Sequence, residues 1–285
     1  MRSNNLNVIS GSNGFIGSRL SARLRDEGSD FLVCYRDNCF KFFSGESVQE
    51  LENLEVWVRK RAYDKFTFYH CSTKYVRENS SLSIEELIAG NFRYPFELIC
   101  LFVKLGDVHV VNLNSYWQAM NNLIGYTVSN YANSKNLLYF NLYELVDKQD
   151  ITNIFLYETY GHGDSRDKLI PLINEKWRAG SPIRINSPER EINLMHVSDV
   201  IDFILLAGIE KISGVFQLSH PRLQTVRELV GLIEVECKAQ KDIQISYSTN
   251  AETSKLPLQI APIPTFWKPR IDLEEGLAGI FGLNG

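Results

Sequence analysis

Cysteine is sparse and irregularly spaced: five residues in 285, with no Cys-x-x-Cys pair. That excludes a disulfide framework and a thiolate metal site, so no metal is expected and the cysteines read as buried thiols. Excess charge of either sign is lacking too. The formal net charge is -4, so neither nucleic acid nor an anionic membrane is an expected partner, and a bound polyanion must be met by local positive groups. No apolar run is long enough to span a membrane, and no basic segment with an apolar core precedes residue 20. The expected location is cytoplasmic. Internal repeats, low-complexity tracts and disordered linkers are missing as well. What remains is an ordinary globular composition, 44% hydrophobic and 22% charged, long enough for one large α/β domain or two small ones.

Residues 6–20 stand out against that background. Val8-Ile9 is a short apolar run that reads as a buried strand, glycines follow at Gly11, Gly14 and Gly17, and a helical pattern begins at once. Gly11 permits a sharp turn out of the strand, Gly14 a close approach of backbone to a pyrophosphate, and Gly17 tight packing of the helix on the sheet. The helix N-terminus then favours the anion. With Asn13, Phe15 and Ile16 inside it, this Gly-x-x-Gly-x-x-Gly run resembles the short-chain dehydrogenase/reductase superfamily. Its Gly-Phe-Ile-Gly form resembles the extended branch, the NAD-dependent epimerases, dehydratases and reductases of nucleotide sugars. The resemblance implies an α/β fold: a Rossmann-type doubly wound parallel sheet with a smaller C-terminal substrate-binding domain. It assigns residues 1–160 to the cofactor and 161–285 mainly to the substrate, with 190–220 returning to the core. Asn13, Phe15 and Ile16 join the three glycines as expected cofactor contacts.

The second strand reads as Phe31 to Arg36. In this fold its end meets the adenosine ribose, where an acidic residue suits NAD and an arginine the 2′-phosphate of NADP. Arg36 therefore points to NADP(H), with NAD as the alternative because Asp37 follows. Residues 38–64 show a helical pattern over Ser47–Lys60 but no third strand that can be placed. Phe66 to Thr73 resembles the family's fourth strand, which implies that His70 is a structural residue beneath the dinucleotide and that Cys71, Ser72 and Thr73 line the cofactor, Thr73 also meeting substrate. Ser83 and Glu86 have capping-box spacing, opening a helix through Asn91 to about Leu105 that Pro95 breaks or kinks.

Val108–Ser115 reads as a strand ending in polar residues, and Tyr131 and Lys135 follow on one helix face. A lysine charge there favours the phenolate, and by the resemblance the pair is catalytic, the lysine also binding the nicotinamide ribose. A hydroxyl at the strand end orients the substrate carbonyl in such enzymes. One alignment places Leu113 at that point, and a shift of two places Ser115. Ser115 is the expected third catalytic residue, with Asn114 beside it against the substrate.

Ile151–Leu156 is a sixth strand, and Tyr160 to Asp164 resembles the family's Tyr-Gly-Pro-Gly-Asp turn with His162 in place of proline. Residues 189–200 resemble an Arg-Asp-x-x-x-Val-x-Asp-Val segment whose arginine meets the nucleotide diphosphate. Ile192 occupies that position, so either Arg184 or Arg190 takes the diphosphate contact, and both are counted with His162 among the expected substrate contacts. The strand-five end carries no carboxyl of the kind that drives dehydration. With Arg36, this most resembles the nucleotide-linked 4-keto-6-deoxyhexose reductases of the CDP-abequose synthase type, which implies O-antigen or other cell-surface polysaccharide biosynthesis. A 4-epimerase with tightly held NAD is the alternative reading, and a non-catalytic nucleotide-binding member a second one. Family members often dimerise through the helices that hold Pro95 and Tyr131, so a homodimer is expected.

Overall fold

A computed structural model describes residues 5–36, 38–75, 84–124, 129–238, 244–248, 255–256 and 259–282. Ser83 and Asp37 lie outside the described residues. The chain divides into two compact units, one made of residues 1–155, 201–217 and 260–262, the other of 156–200, 218–259 and 263–285.

The first unit is built on β1 (Asn5–Ser10), which leads through the glycine loop into α1 (Phe15–Asp26) and β2 (Phe31–Cys34). Next come β3 (Cys39–Phe42), β4 (Ser47–Gln49), α2 (Leu51–Lys60) and β5 (Lys65–His70). Helix α3 (Ile84–Ile88) passes through a π turn (Ala89–Arg93) into α4 (Tyr94–Leu105), then β6 (Asp107–Ser115), α5 (Tyr116–Ile124), α6 (Asn130–Leu145) and β7 (Ile151–Leu156). β1 pairs in parallel with β2 and β5, and β5 with β6. β2 and β7 are buried at every position, as expected of a sheet covered on both faces.

Alternation along the strands sorts the two faces. Leu6, Val8, Phe66, Phe68, Val108 and Val110 join Leu54, Val58, Leu98, Phe102, Leu138 and Leu142 from α2, α4 and α6 in one core. On the other face Tyr69 lies against Gly208, where a Cβ would sit 2.2 Å from the phenol oxygen. His109 is buried on that face too, bonded through Nε2 to Thr152 Oγ1 at 2.9 Å. Burial lowers its pKa to about 4, so it is a neutral core residue near pH 7.

Residues 38–64 hold what the pattern left open. Instead of a third parallel strand, β3 and β4 form an antiparallel hairpin on the edge of the sheet, with Leu32 opposite Phe42 and Phe40 opposite Val48. Each strand is only three or four residues long, too short for alternation to show. β2 ends at Cys34, two residues before the expected end, and Arg36 sits in the turn to this hairpin. The break near Pro95 also differs from expectation. Pro95 lies inside the first turn of α4, and the irregularity is the π turn before it, around Asn91. Proline has no N–H to offer the carbonyl four residues earlier, and a widened turn absorbs the mismatch.

The second unit contains β8 (Glu158–Tyr160), α7 (Leu169–Arg178), β9 (Ile183–Ile185), β10 (Glu191–Ile192) and β11 (Leu194–His196). After α8 (Val197–Ile209) and β12 (Gly214–Leu218), which adds to the large sheet beside β7, come β13 (Gln224–Thr225), α9 (Val226–Lys238), β14 (Ile245–Tyr247) and α10 (Leu273–Phe281). Its own core gathers Tyr160, Ile173, Trp177, Leu194, Leu229 and Leu277. Thr225 and Glu228 form a capping box, Thr225 N donating to Glu228 Oε2 at 2.7 Å and Glu228 N to Thr225 Oγ1 at 3.2 Å. Asp199, 2% exposed, receives the backbone N–H groups of Arg270 and Ile271 and so anchors the C-terminal segment.

Candidate active site

The sheet order β7-β6-β5-β1-β2 brings the C-terminal ends of its parallel strands to one edge. The glycine loop lies there. Gly11 has φ +81°, and a Cβ on it would lie 2.5 Å from the Ser72 backbone. A Cβ on Gly17 would meet the Gly11 carbonyl oxygen at 2.2 Å. Both positions thus exclude any side chain. Gly14 opens α1 without a side-chain cap, so the positive end of the helix dipole is presented at the loop. Asn13 and Gly14 are exposed, Phe15 and Ile16 half-buried.

Next to the loop, His70 accepts or donates through Nδ1 to Ser10 Oγ at 2.9 Å. Its Nε2 and the Ser12 hydroxyl are buried without a hydrogen-bond partner among the described residues. Burial holds the His70 pKa well below its ordinary value, and the charges of Lys135 and Arg36 add to the effect. Burial likewise pushes the Cys71 thiol up to about 12, although Lys135 pulls it down. With Lys135 and Arg36 acting on a neutral imidazole and Lys135 on a neutral thiol, this edge is electropositive. A loop closed to side chains, an uncapped helix start and unpartnered polar atoms fit a dinucleotide diphosphate.

Arg36 leaves the end of β2 and donates from Nη2 to the Thr73 carbonyl at 2.9 Å, joining the exits of β2 and β5. Thr73 Oγ1 in turn donates to Asn91 Oδ1 at 3.3 Å. Asn91 is a residue whose role sequence reasoning missed, although its spacing to Pro95 was visible. Only 1% exposed, it receives the Lys74 N–H on Oδ1 at 2.6 Å. From Nδ2 it donates to the Lys74 carbonyl at 2.9 Å and to Ser134 Oγ at 2.8 Å. The π turn therefore clamps the β5 exit to α6.

Helix α6 starts at Ser129, whose Oγ receives the Tyr131 N–H at 3.2 Å. Tyr131, Ser134, Lys135, Leu138 and Leu142 form its buried face. Tyr131 is 9% exposed and packs edge-on against Tyr75, ring centroids 5.2 Å apart at 81°. Burial draws the Lys135 ammonium from 10.5 to about 8. A desolvated cation one helical turn from a phenol is an arrangement that favours the phenolate.

Ser115 ends β6 and begins α5. Its Oγ accepts the Trp117 N–H at 3.4 Å and its own N–H goes to Gln118 Oε1 at 2.8 Å. This is a capping box, Ser-x-x-Gln, and that spacing was a legible signal for Gln118. The cap occupies an acceptor lone pair and leaves the O–H as a donor. Asn114, expected against the substrate, is 4% exposed and lies in a buried amide network. Its Nδ2 donates to Asn153 Oδ1 at 2.9 Å and its Oδ1 receives Gln118 Nε2 at 3.1 Å. Asn112 donates to the same Asn153 oxygen at 2.7 Å. Asn112 and Asn114 share the face of β6 that packs against α6, as a two-residue period requires.

In the second unit, His162 is exposed in the turn after β8. Arg166 shapes that turn through Asp164 at 2.8 Å and the Thr159 carbonyl at 2.7 Å. Arg184 projects from β9 to solvent between buried Ile183 and Ile185. Arg190 pairs with Glu158 at 3.5 Å. Among the described residues no cluster of metal-ligating side chains occurs, and no helix is long and apolar enough to cross a membrane.

The model of the NAD dependent epimerase/dehydratase family matches residues 7–214. The chain belongs to that family. Similar curated proteins are the CDP-abequose synthases of Yersinia pseudotuberculosis, 24% identical over 158 residues, and of Salmonella typhimurium strain LT2, 24% identical over 213 residues. The first match covers 52% of this chain and the second 70%. They cover 54% and 68% of those proteins, so the chain spans about half the length of the first relative it matches. Two solved structures share the fold at a TM-score of 0.74: MoeE5 in complex with UDP-glucose and NAD, 19% identical, and the UDP-glucose 4-epimerase of Thermotoga maritima with UDP-glucose, 18% identical. The first likeness covers 96% of this chain and 97% of that structure, the second 97% of each. For this family member the likenesses establish the Rossmann-type architecture; the chemistry has to come from the residues just described.

Proposed function

We propose that the protein is an NADPH-dependent reductase of a nucleotide-linked 4-keto-6-deoxyhexose, a cytoplasmic enzyme of cell-surface polysaccharide biosynthesis. In this reading residues 1–160 bind the cofactor and residues 161–285 mainly serve the nucleotide sugar, with His162, Arg184 and Arg190 as its contacts. NADPH, when bound, supplies the hydride. Lys135 holds the cofactor ribose and biases the Tyr131 phenol, Tyr131 gives its proton to the C4 oxygen, and the Ser115 hydroxyl orients that oxygen. Leu113, Asn114 and Ser115 put no carboxyl at the β6 exit, which argues against water elimination.

The observation that carries the reductase reading over an NAD-retaining epimerase is Arg36, a guanidinium at the β2 exit. Arg36→Ala should weaken NADPH roughly 10- to 100-fold, the worth of a charged hydrogen-bonded contact, and NADH far less. Fluorescence titration of both cofactors checks it, and equal losses remove the case for NADP. NADPH oxidation with a CDP-linked 4-keto-6-deoxyhexose tests the reaction. Purification with bound NAD, and interconversion of C4 epimers without net oxidation, would instead establish the epimerase.

For assembly we propose a homodimer through α4 and α6. Phe140 is 57% exposed, and Val103 and Leu137 are 38% exposed on the same two helices, an apolar surface that a second copy would cover. Sedimentation that shows a monomer at every concentration sinks this arrangement.

A further inference from the structure

We infer that Gln118 is a positioning residue: it sets the Ser115 hydroxyl in register with the helix that carries Tyr131 and Lys135. The inference rests on the reading of Ser115 as the group that orients the ketone oxygen. Tyr131 and Lys135 come from α6 and Ser115 from the end of β6. Their alignment therefore depends on whatever joins the two elements at that level.

Gln118 is 0% exposed and uses its amide oxygen and both amide hydrogens at this junction. Oε1 accepts the Ser115 N–H at 2.8 Å. Nε2 has two hydrogens, and one donates to Asn114 Oδ1 and the other to Asn136 Oδ1, each at 3.1 Å. Asn136 follows Lys135 directly. One amide thus grips the residue before Ser115, Ser115 itself, and the α6 turn that holds Lys135. A second tie, Asn153 Nδ2 to Tyr143 OH at 3.0 Å, fastens the same network about two turns further along α6. Asn114 is kept in place by Asn153, so the grip does not rest on a free rotamer.

An apolar side chain would fill this buried space without any polar group to desolvate. A fully satisfied amide network instead specifies a single geometry. Tolerance is what the chemistry lacks, since a displacement of about 1 Å at a reacting group can cost on the order of 100-fold in rate.

The test is a double-mutant cycle on NADPH-dependent reduction of a CDP-linked 4-keto-6-deoxyhexose. It reads kcat, KM and cofactor Kd for Ser115→Ala, Gln118→Leu and the double variant, with melting curves for each. Gln118→Leu should lower kcat about tenfold, an effect of misplacement, with KM and cofactor Kd nearly unchanged. In the Ser115→Ala background the same change should cost nothing further, because no hydroxyl is left to place. Gln118→Glu keeps the acceptor for the Ser115 N–H but loses both hydrogens that hold Asn114 and Asn136, so its kcat should fall at least as far as that of Gln118→Leu. Gln118→Met replaces the leucine variant if that does not fold. A wild-type kcat in Gln118→Leu, or losses that multiply in the double variant, would overturn the role. Full activity in Ser115→Ala would remove the parts of Ser115 and Gln118 together and leave the reductase standing. A wild-type protein inactive with this substrate would overturn the reductase reading and this role with it.

Discussion

Tyr131→Phe should lose about 10²–10⁴-fold in turnover, the usual worth of a positioned general acid, while NADPH binds almost as before. The ring is retained, so the edge-on contact with Tyr75 and the buried face of α6 both survive, and only the proton donor is removed. Ser115→Ala should cost less, because it deletes an orienting hydrogen bond and leaves the acid in place. Turnover and cofactor dissociation constants for the two variants check the order. A Tyr131→Phe protein with most of its activity would reduce the tyrosine–lysine spacing to a coincidence on a buried helix.

Lys135→Met should have opposite effects on rate and on stability. Without the ammonium, the phenol loses its bias and the cofactor ribose its donor, so kcat should fall roughly 100-fold or more and cofactor affinity with it. The cofactor-free protein, however, should become more stable. Burial holds this lysine at about 8 instead of 10.5, which corresponds to a cost on the order of 3 kcal/mol for keeping the charge in the folded state. The sign follows from proton counting. Below about pH 8 both folded and unfolded chains carry the charge and the cost is present in full. Between about 8 and 10.5 the unfolded chain binds the extra proton, and wild-type stability rises with pH. The advantage of Lys135→Met should therefore be largest near pH 7 and disappear by about pH 10.5. Urea denaturation of both proteins at several pH values measures it; an advantage independent of pH would refute the buried-charge account. A cation held at a cost to the empty protein is what an anionic cofactor would reward.

How much was legible depended on how local each feature was. The glycine loop is a strand-to-helix turn of seven residues, and its constraints act between near neighbours, as Gly17 against Gly11 shows. Tyr131 and Lys135 share a face because residues four apart on any helix do. The capping boxes at Ser115 and Thr225 are equally local. The β3–β4 hairpin was not legible because its strands are too short to display a period.

The sequence alone carried the glycine loop between strand and helix and the tyrosine–lysine pair on one helix face, and through them the resemblance that implied the Rossmann-type class. The loop and the pair each follow from backbone geometry within a few residues. Only the tertiary structure decided what surrounds the pair. The Asn91 clamp bridges 43 residues to Ser134, Arg36 reaches 37 residues to Thr73, and Asn114 meets Asn153 across 39. An amide side chain can face solvent, ligand or another amide with equal local propriety. Which of these it meets is set by strand order and by the helix packed on the sheet. That is why the sequence around Asn114 gave no sign of the amide network that it joins.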